Sequence, residues 1–453
     1  MKASHNLAAV AVNFDEDNLV PNAGLAAPAL LAQRLGVAEL IDRRVRLSKD
    51  RPGGANSGAK ALTLLGSMLA GGDSIDDVDV LRAGAAPELF DDVRAPSTVG
   101  TWLRAFRWSD IRQLDAVARE TLKTAWSAGL GPADLAAPLT IDIDSTICQT
   151  YGVAKQGARF GRTKVRGYEP LLATVASTGE VAHSRMAEAH VEVPEQVVRG
   201  GNAGSARGAA SFVAETISRV RDAGATGPLT VRADSAFYNK KMLWTARNSD
   251  VRFSVTVRKD KCIRAAIDAV GDDAWTPIPY WLDGGADVAE VAYTAFSGRH
   301  KMDLRLIVRR VRPTPGSQLA LDVVFDYHAL VTDRDGTTLT LEADHRAHAQ
   351  VELVTRDLKD GPPAHFPSGE FAANGAWLGL AVLAHNLGRQ TLTAAGPHFD
   401  AATVGTLRRK VIAMPARLVT SGRRQRLRAP SNWPWRRAIA AMLARLRAIP
   451  APG

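Results

Sequence analysis

The sequence predicts an α/β protein, with a mixed sheet that carries a β-rich insertion, a helical region before it and a basic helical tail after it. Residues 1–135 show apolar residues at helical spacing, and from about residue 136 strands and helices alternate. The tail, residues 401–453, contains 12 Lys or Arg and no Asp or Glu. Because the whole chain of 453 residues carries a formal charge of +10, the other 400 residues carry −2.

The first region, 1–135, is predicted to be a helical domain, and a candidate helix-turn-helix within it makes DNA its expected partner. Gly stops and apolar spacing predict helices over the stretches 25–36, 37–45, 59–72 and 108–129. The segment 95–107 starts with a Pro-Ser cap signal and carries Thr98, Trp102 and Phe106 four residues apart. It fits the second helix of a helix-turn-helix, with Arg104 and Arg107 exposed, or an ordinary core helix. We favour core packing for its aromatic residues.

Composition narrows the class of protein. The 2 cysteines, Cys148 and Cys262, form no CxxC pair, which argues against a disulfide scaffold or a cysteine zinc site and suits a reducing cytoplasm. The N-terminus lacks the apolar segment of a signal peptide, and the longest apolar run, 376–387, is too short to cross a bilayer. We therefore expect a cytoplasmic, nucleoid-associated protein. The tail suits a polyanion, although a solvated basic surface is the alternative.

The stretch LTIDIDSTICQTYG, 139–152, opens the first part of the predicted core, 136–260. Leu139, Ile141 and Ile143 alternate with polar residues as in a strand, so Asp142 and Asp144 lie together on its other face. Neighbouring carboxylates repel each other unless a cation, a proton or solvent compensates. The pair is therefore either part of a solvated strand face or half of a metal site.

The rest of the first core part continues the alternation. An acid-free loop, 145–168, supplies the predicted DNA contacts Arg162, Lys164 and Arg166. A hairpin is predicted over 170–189, followed by a helix over 205–224. Asp234 then stands where a strand turns into a helix, a position typical of ligand residues in α/β sheets and also of helix N-caps.

Beyond residue 260 three further regions are predicted. Antiparallel strands form the insertion, 261–340, in which Trp275 and Trp281 either stack on a flipped base or, as we favour, pack in the core. The core ends over 341–400, with an apolar helix at 371–388 and a helix over 343–361. The latter places four residues on one face: His345, His348, Glu352 and Lys359. The tail, 401–453, supplies the predicted DNA contacts Arg423, Arg424, Arg426 and Arg428.

Three separated acids can close one site: Asp144, Asp234 and Glu352. Carboxylates are suitable ligands for Mg²⁺, and two such ions can activate an attacking hydroxyl and stabilise the leaving oxygen of a phosphodiester. A zinc site at His345, His348 and Glu352 is a minor alternative, because its spacing is HxxHxxxE rather than HExxH.

Several motifs of the chain resemble those of the DDE transposases of bacterial insertion sequences. They are IDIDSTICQTYG…GYEPLLAT, RGGNAGSARGAASF, RADSAFY and the E-x6-K of VELVTRDLK. Within that group, these motifs resemble the insertion-sequence family numbered thirteen-eighty. The actinobacterial-like branch of that family is indicated by the tail segment PARLVTSGRRQRLRAPSNWPW. The likeness covers nearly the whole chain and implies a ribonuclease-H-like core. It also implies DNA cleavage and strand transfer with two Mg²⁺ ions, for which Mn²⁺ can substitute.

Residue by residue, the resemblance implies that Asp144, Asp234 and Glu352 are the catalytic, metal-binding acids, with Asp142 a less favoured rival of Asp144. Lys359 matches a lysine that contacts DNA phosphate. His345 and His348 stand where that family usually has Tyr and Arg, and they are the remaining expected DNA contacts. The expected partners are terminal inverted repeats, target DNA and a second copy of the chain. A catalytically inactive DNA-binding derivative and a non-transposing nuclease are the alternatives.

Overall fold

The computed structural model describes most of the chain. The described stretches are 6–152, 154–160, 164–186, 208–282, 284–313, 325–399, 402–422 and 424–451. They contain a nine-stranded mixed sheet and two small three-stranded sheets, with helices before, between and after the strands. The predicted mixed α/β class is therefore confirmed.

The N-terminal region is mostly helical, as predicted. Its elements are β1 (Leu19–Val20), α1 (Ala26–Arg34), α2 (Val37–Arg44), α3 (Ser57–Ala70), α4 (Ala86–Leu89), α5 (Pro96–Ala105) and α6 (Trp108–Ser127). Gly36 separates α1 from α2 with a φ of +65°, a left-handed conformation that glycine adopts without strain. Trp102 and Phe106 are fully buried, which confirms core packing for these two aromatic residues of the 95–107 segment.

The next region supplies five adjacent strands at one side of the large sheet. Its elements are β2 (Leu139–Ser145), β3 (Cys148–Gln149), β4 (Arg159–Phe160), β5 (Arg166–Tyr168), β6 (Leu171–Val175), β7 (Val181–Arg185), α7 (Ala209–Asp222), β8 (Leu229–Ala233), α8 (Lys240–Asn248) and β9 (Arg252–Thr256). The predicted hairpin is β6 with β7. Strand β2 pairs with β6 antiparallel and with β8 parallel, and β9 runs parallel to β8. The acid-bearing strand is therefore an interior strand, paired on both sides.

The predicted insertion is β-rich and extends this same sheet. It comprises α9 (Lys261–Asp268), β10 (Thr276–Ile278), β11 (Ala286–Ala295), β12 (Met302–Val311) and β13 (Asp326–Thr332). The four strands run antiparallel, and β13 pairs with β9. The strand order is consequently β10-β11-β12-β13-β9-β8-β2-β6-β7.

The C-terminal part differs from the prediction in two places. Its elements are α10 (Thr338–Arg346), α11 (Val351–Lys359), α12 (Phe371–Ala395), α13 (Val404–Leu407), β14 (Ala416–Ser421), β15 (Arg424–Arg428) and α14 (Arg436–Ala448). The single helix predicted over 343–361 is wrong, because a 3₁₀ turn, Ala347–Gln350, divides it. The tail is not wholly helical, because β14 and β15 pair as a hairpin. The alternation RQRLR has the period of two that a strand requires.

The long helix α12 lies at the centre of the helical part of the molecule. It is buried along almost its whole length, and Trp377 has no exposed surface. Helices α1, α3, α5, α6 and α14 all pack against it, so both ends of the chain contribute to one hydrophobic core. Among the described residues no single helix is long and apolar enough to cross a membrane, although the bent pair Ala23–Arg34 and Val37–Arg44 meets the length and composition criteria together.

Candidate functional site

The parallel pairing of β2 with β8 brings two of the three predicted acids together. Ile143 lies beside Ala233 in this register, so the following residues, Asp144 and Asp234, leave neighbouring strands at the same level. Helix α11 packs against β2 and carries Glu352 in its first turn. The three acids therefore gather at one end of these two strands, where ligand sites of α/β sheets form.

Asp144 is half-buried, and its carboxylate has few compensating contacts. Burial, the largest cause, and the negative charges of Asp234 and Glu352 together raise its pKa to about 6. A hydrogen bond from the Ser145 amide at 2.7 Å and the nearby His348 act in the opposite direction. The Ser145 hydroxyl donates to Glu169 at 3.0 Å. Sequence reasoning missed Glu169, although it lies in the quoted GYEPLLAT motif.

The other two acids also keep carboxylate oxygens available. Asp234 accepts from the Ala236 amide at 3.0 Å and caps a short 3₁₀ turn, so the N-cap interpretation is confirmed for one of its oxygens. Glu352 is exposed. In the described part of the chain, none of these carboxylates pairs with a cationic side chain. All-oxygen donors with uncompensated charge fit a divalent cation such as Mg²⁺.

The three carboxylates do not converge fully. Their oxygen atoms do not all lie within 4.8 Å of one another, whereas one other group among the described residues, Asp115, His183 and Glu215, meets that limit. Binding of a cation at the first site therefore requires a side-chain movement. The exposed Glu352 has the freedom to make it.

Asp142 has opposite surroundings. Its side chain is 1 % exposed and forms two hydrogen bonds with Arg232, Nε to Oδ1 at 2.8 Å and Nη2 to Oδ2 at 2.9 Å. His348 Nδ1 lies 2.8 Å from Oδ1. Burial acts to raise the pKa of Asp142, but these contacts hold it below its usual value. This carboxylate is already neutralised by the protein, which leaves Asp144 as the acid of β2 that pairs with no cationic side chain in the described part of the chain.

Arg232 is the functional partner that sequence reasoning missed. A signal for it exists, because β2 reads Asp-x-Asp over 142–144 and the end of β8 reads Arg-x-Asp over 232–234. Parallel pairing in register sets Arg232 beside Asp142 and Asp234 beside Asp144. The first pair is an ion pair and the second is a pair of like charges.

The two histidines, predicted to share one helix face with Glu352 and Lys359, contact two different strands of the sheet instead. His345 lies between Ser254 and Thr256 of β9, with Nδ1 2.8 Å from one hydroxyl and Nε2 2.9 Å from the other. Burial, helped by the positive charges of nearby groups such as His348 and Arg232, lowers its pKa to about 3, so the ring is neutral at pH 7. The 3₁₀ turn between α10 and α11 allows one imidazole to reach β9 and the other to reach β2.

The remaining predicted DNA contacts lie on separate elements. Lys359 is half-buried at the end of α11, Lys164 is exposed, and Arg166 donates to the backbone oxygens of Gly152 and Lys155. Three arginines are exposed on β15, an edge strand: Arg424, Arg426 and Arg428. Two of the predicted contacts, Arg162 and Arg423, lie outside the described residues.

The insertion tryptophans differ from each other. Trp275 is half-buried, with the Arg310 guanidinium 4.3 Å from its ring centre. Trp281 is 77 % exposed, so the expectation of core packing is wrong for this residue. It lies in a short connection between β10 and β11, with its ring centre 5.8 Å from that of Tyr280.

Comparison with known proteins gives a family match over almost the whole chain. The family described as Transposase DDE domain group 1 matches residues 3–451. No curated protein matches the chain. The cryo-EM structure of a piggyBac transposase synaptic complex with hairpin DNA aligns with a TM-score of 0.44 and 10 % sequence identity, over 85 % of this chain and 79 % of that one.

Proposed function

Because the chain belongs to the Transposase DDE domain group 1 family, we propose that it cleaves and joins DNA with a centre formed by Asp144, Asp234 and Glu352. The observation that carries the proposal is the surroundings of Asp144. It is half-buried at a strand end beside two further acids, and no cationic side chain in the described stretches pairs with it. A carboxylate without a compensating charge is unfavourable in the free protein, and a bound cation removes that cost.

The three acids hold divalent cations, with Mg²⁺ as the natural ion and Mn²⁺ as a substitute. When bound, two such ions activate the attacking hydroxyl and stabilise the leaving oxygen of the phosphodiester. Arg232 neutralises Asp142, which keeps that carboxylate away from the ions. His348 donates from Nδ1 to the Asp142 carboxylate and positions the start of α11, from which Glu352 projects.

The DNA is the element's own terminal inverted repeats and then the target. Lys359 and Lys164 contact phosphate in this proposal, and the exposed arginines of β15 bind the DNA backbone as well. Such contacts are independent of sequence and weaken as salt rises. Two DNA ends have to be joined, so the working complex is a homodimer on DNA.

At a finer level, we place the chain among bacterial insertion-sequence transposases with a ribonuclease-H-like core, in the branch numbered thirteen-eighty. The motifs around Asp144 and Asp234 support this assignment. The alternative is an inactive or domesticated DNA-binding derivative. The presence of all three acids at one end of β2 and β8 favours the active enzyme.

The test is excision of DNA in a purified system. The protein is incubated with Mg²⁺ and a plasmid that carries a marker between the gene's own flanking ends. We expect wild type to release the marker and Glu352→Gln to bind the same DNA without releasing it. The matched control is Glu88→Gln, an exposed glutamate of the N-terminal region.

Two outcomes overturn the proposal. Retarded DNA without release by wild type, in Mg²⁺ or Mn²⁺, indicates the binding-only derivative. Release that is equal for wild type and Glu352→Gln indicates that the chemistry resides elsewhere.

A further inference from the structure

A second cluster of metal-ligand residues lies on the far side of the large sheet. Asp115 of α6, His183 of β7 and Glu215 of α7 each offer a ligand atom, and these atoms all lie within 4.8 Å of one another. They line a cavity of about 270 Å³ between the helical region and the sheet edge. The three residues come from separate elements, so the fold itself brings them together.

The histidine is held in the tautomer that a metal requires. The Thr216 hydroxyl donates to the Phe212 carbonyl at 2.7 Å, so its oxygen can only accept from His183 Nδ1, 3.1 Å away. Nδ1 therefore carries the proton, and the lone pair is on Nε2. That atom lies 3.7 Å from a Glu215 oxygen and 4.0 Å from an Asp115 oxygen.

Nε2 has no hydrogen-bond partner among the described residues, although the His183 side chain is only 2 % exposed. Stacking on Phe212, with ring centres 4.3 Å apart, fixes its direction. The lone pair of Nε2 and the two carboxylates repel one another. A cation bound between the three groups would attract all of them. Metal-bound histidines also typically donate their other ring N–H, as this one does.

One neighbouring arginine leaves a ligand oxygen free, and the other has to move for an ion to bind. Arg219 pairs with Asp115 Oδ2, while the Oδ1 atom of the same carboxylate faces the histidine. Arg185 Nη2 lies 3.0 Å from Glu215 Oε2, the same oxygen that faces His183, and the Arg185 side chain is 29 % exposed, so it has the freedom to move aside. Arg112 also lines the cavity. The alternative is that these ion pairs alone complete the cluster.

The cluster is separate from the three proposed catalytic acids. His183 lies opposite Ala173 of β6, which lies opposite Ile143 of β2. Residues directly opposite in paired strands share a face, so His183 is on the face of Ile143 and away from that of Asp142 and Asp144.

We propose that Asp115, His183 and Glu215 bind a second metal ion of the Zn²⁺ class. One imidazole nitrogen and two carboxylate oxygens favour Zn²⁺ over Mg²⁺, which prefers oxygen alone. The ion joins α6 of the helical region to β7 and α7 of the sheet, with water completing its coordination. This proposal does not rest on the proposed DNA chemistry.

The test is calorimetric titration of Zn²⁺ into the full chain in excess Mg²⁺. We expect one strong site in wild type and in Glu88→Gln, and an affinity at least about 100-fold lower in Glu215→Gln, since even outer-shell changes lower affinity about 10–100-fold. The variant Asp144→Asn/Glu352→Gln is expected to keep the site. Equal affinity in Glu215→Gln, or loss in Asp144→Asn/Glu352→Gln, overturns the proposal.

A second measurement needs no variant. X-ray absorption at the zinc edge of the loaded wild-type protein is expected to show one imidazole ligand with oxygen ligands. A spectrum with oxygen alone, or with several imidazoles, contradicts the site even if a substituted chain fails to fold.

Discussion

Asp142 and Asp144 lie two residues apart on the same face of the same strand, yet their surroundings are opposite. Asp142 is 1 % exposed and bonded to Arg232 and His348, and its pKa is lowered. Asp144 is half-buried, faces two further acids, and has a pKa raised to about 6. One carboxylate stabilises the sheet, and the other is held at a cost that a bound cation would offset.

The difference between the two acids comes from the residues of strand β8 that lie beside them. Its Arg232 compensates the first acid of β2, while Asp234 adds charge beside the second. Because a carboxylate already satisfied by a guanidinium has little affinity left for a metal, we expect only one acid of β2 to take part in the proposed chemistry. The following predictions test this division.

The largest effect is expected on the rate of DNA cleavage when Asp234, the acid beside Asp144, is changed. Asp234→Asn removes a proposed metal ligand, and loss of about 4 kcal/mol of transition-state stabilisation corresponds to about a thousandfold slower cleavage. Cleavage of end DNA under single turnover measures it. The control Asp335→Asn changes an acid that is 96 % exposed and should keep the wild-type rate. A loss of less than tenfold in Asp234→Asn would place the metal elsewhere.

The next largest effect is expected on the free energy of unfolding when Asp142 is changed. Asp142→Asn leaves the guanidinium of Arg232, whose side chain is 3 % exposed, without its buried partner. Breaking such a pair destabilises a protein by roughly 3–5 kcal/mol. Urea unfolding measures the change. A midpoint equal to that of wild type contradicts the structural role of Asp142.

A smaller effect of opposite sign is expected at Asp144. Its folded pKa of about 6 exceeds the ordinary 3.8, so between these values the folded protein holds a proton that the unfolded chain has lost. Stability of metal-free wild type should therefore fall as pH rises from about 4 to about 6. Asp144→Asn should lack this fall and be about 1–2 kcal/mol more stable at pH 7, after allowance for solvent screening. Urea unfolding in chelator across this pH range tests it, and parallel curves for both proteins would refute it.

The smallest effect on the protein itself is expected from the exposed arginines of β15. Replacing Arg424, Arg426 and Arg428 by Ala should leave stability nearly unchanged, unlike a change at the buried Arg232. DNA affinity should fall, and the slope of log K against log salt should become less steep by about 0.9 for each lost phosphate contact. Titrations at several salt concentrations measure the slope. An unchanged slope removes β15 from the DNA surface.

The sequence predicts the elements better than it predicts their contacts. The strand at 139–145, the hairpin around Gly179 and the burial of Trp102 follow from local periodicity, and the structure has all three. The break between α10 and α11 could not be predicted, because it depends on where His345 and His348 meet β9 and β2. Ion pairing of Asp142 depends on the register of β2 with β8, which local patterns do not determine.

The most direct test of the account is Asp144→Asn, with DNA cleavage and urea unfolding measured on the same metal-free preparation before and after Mg²⁺ is added. The account predicts a folded protein, at least as stable as wild type in chelator, that binds end DNA but does not cleave it with Mg²⁺. Cleavage at the wild-type rate by this variant would contradict the assignment of Asp144 as the acid that meets the metal.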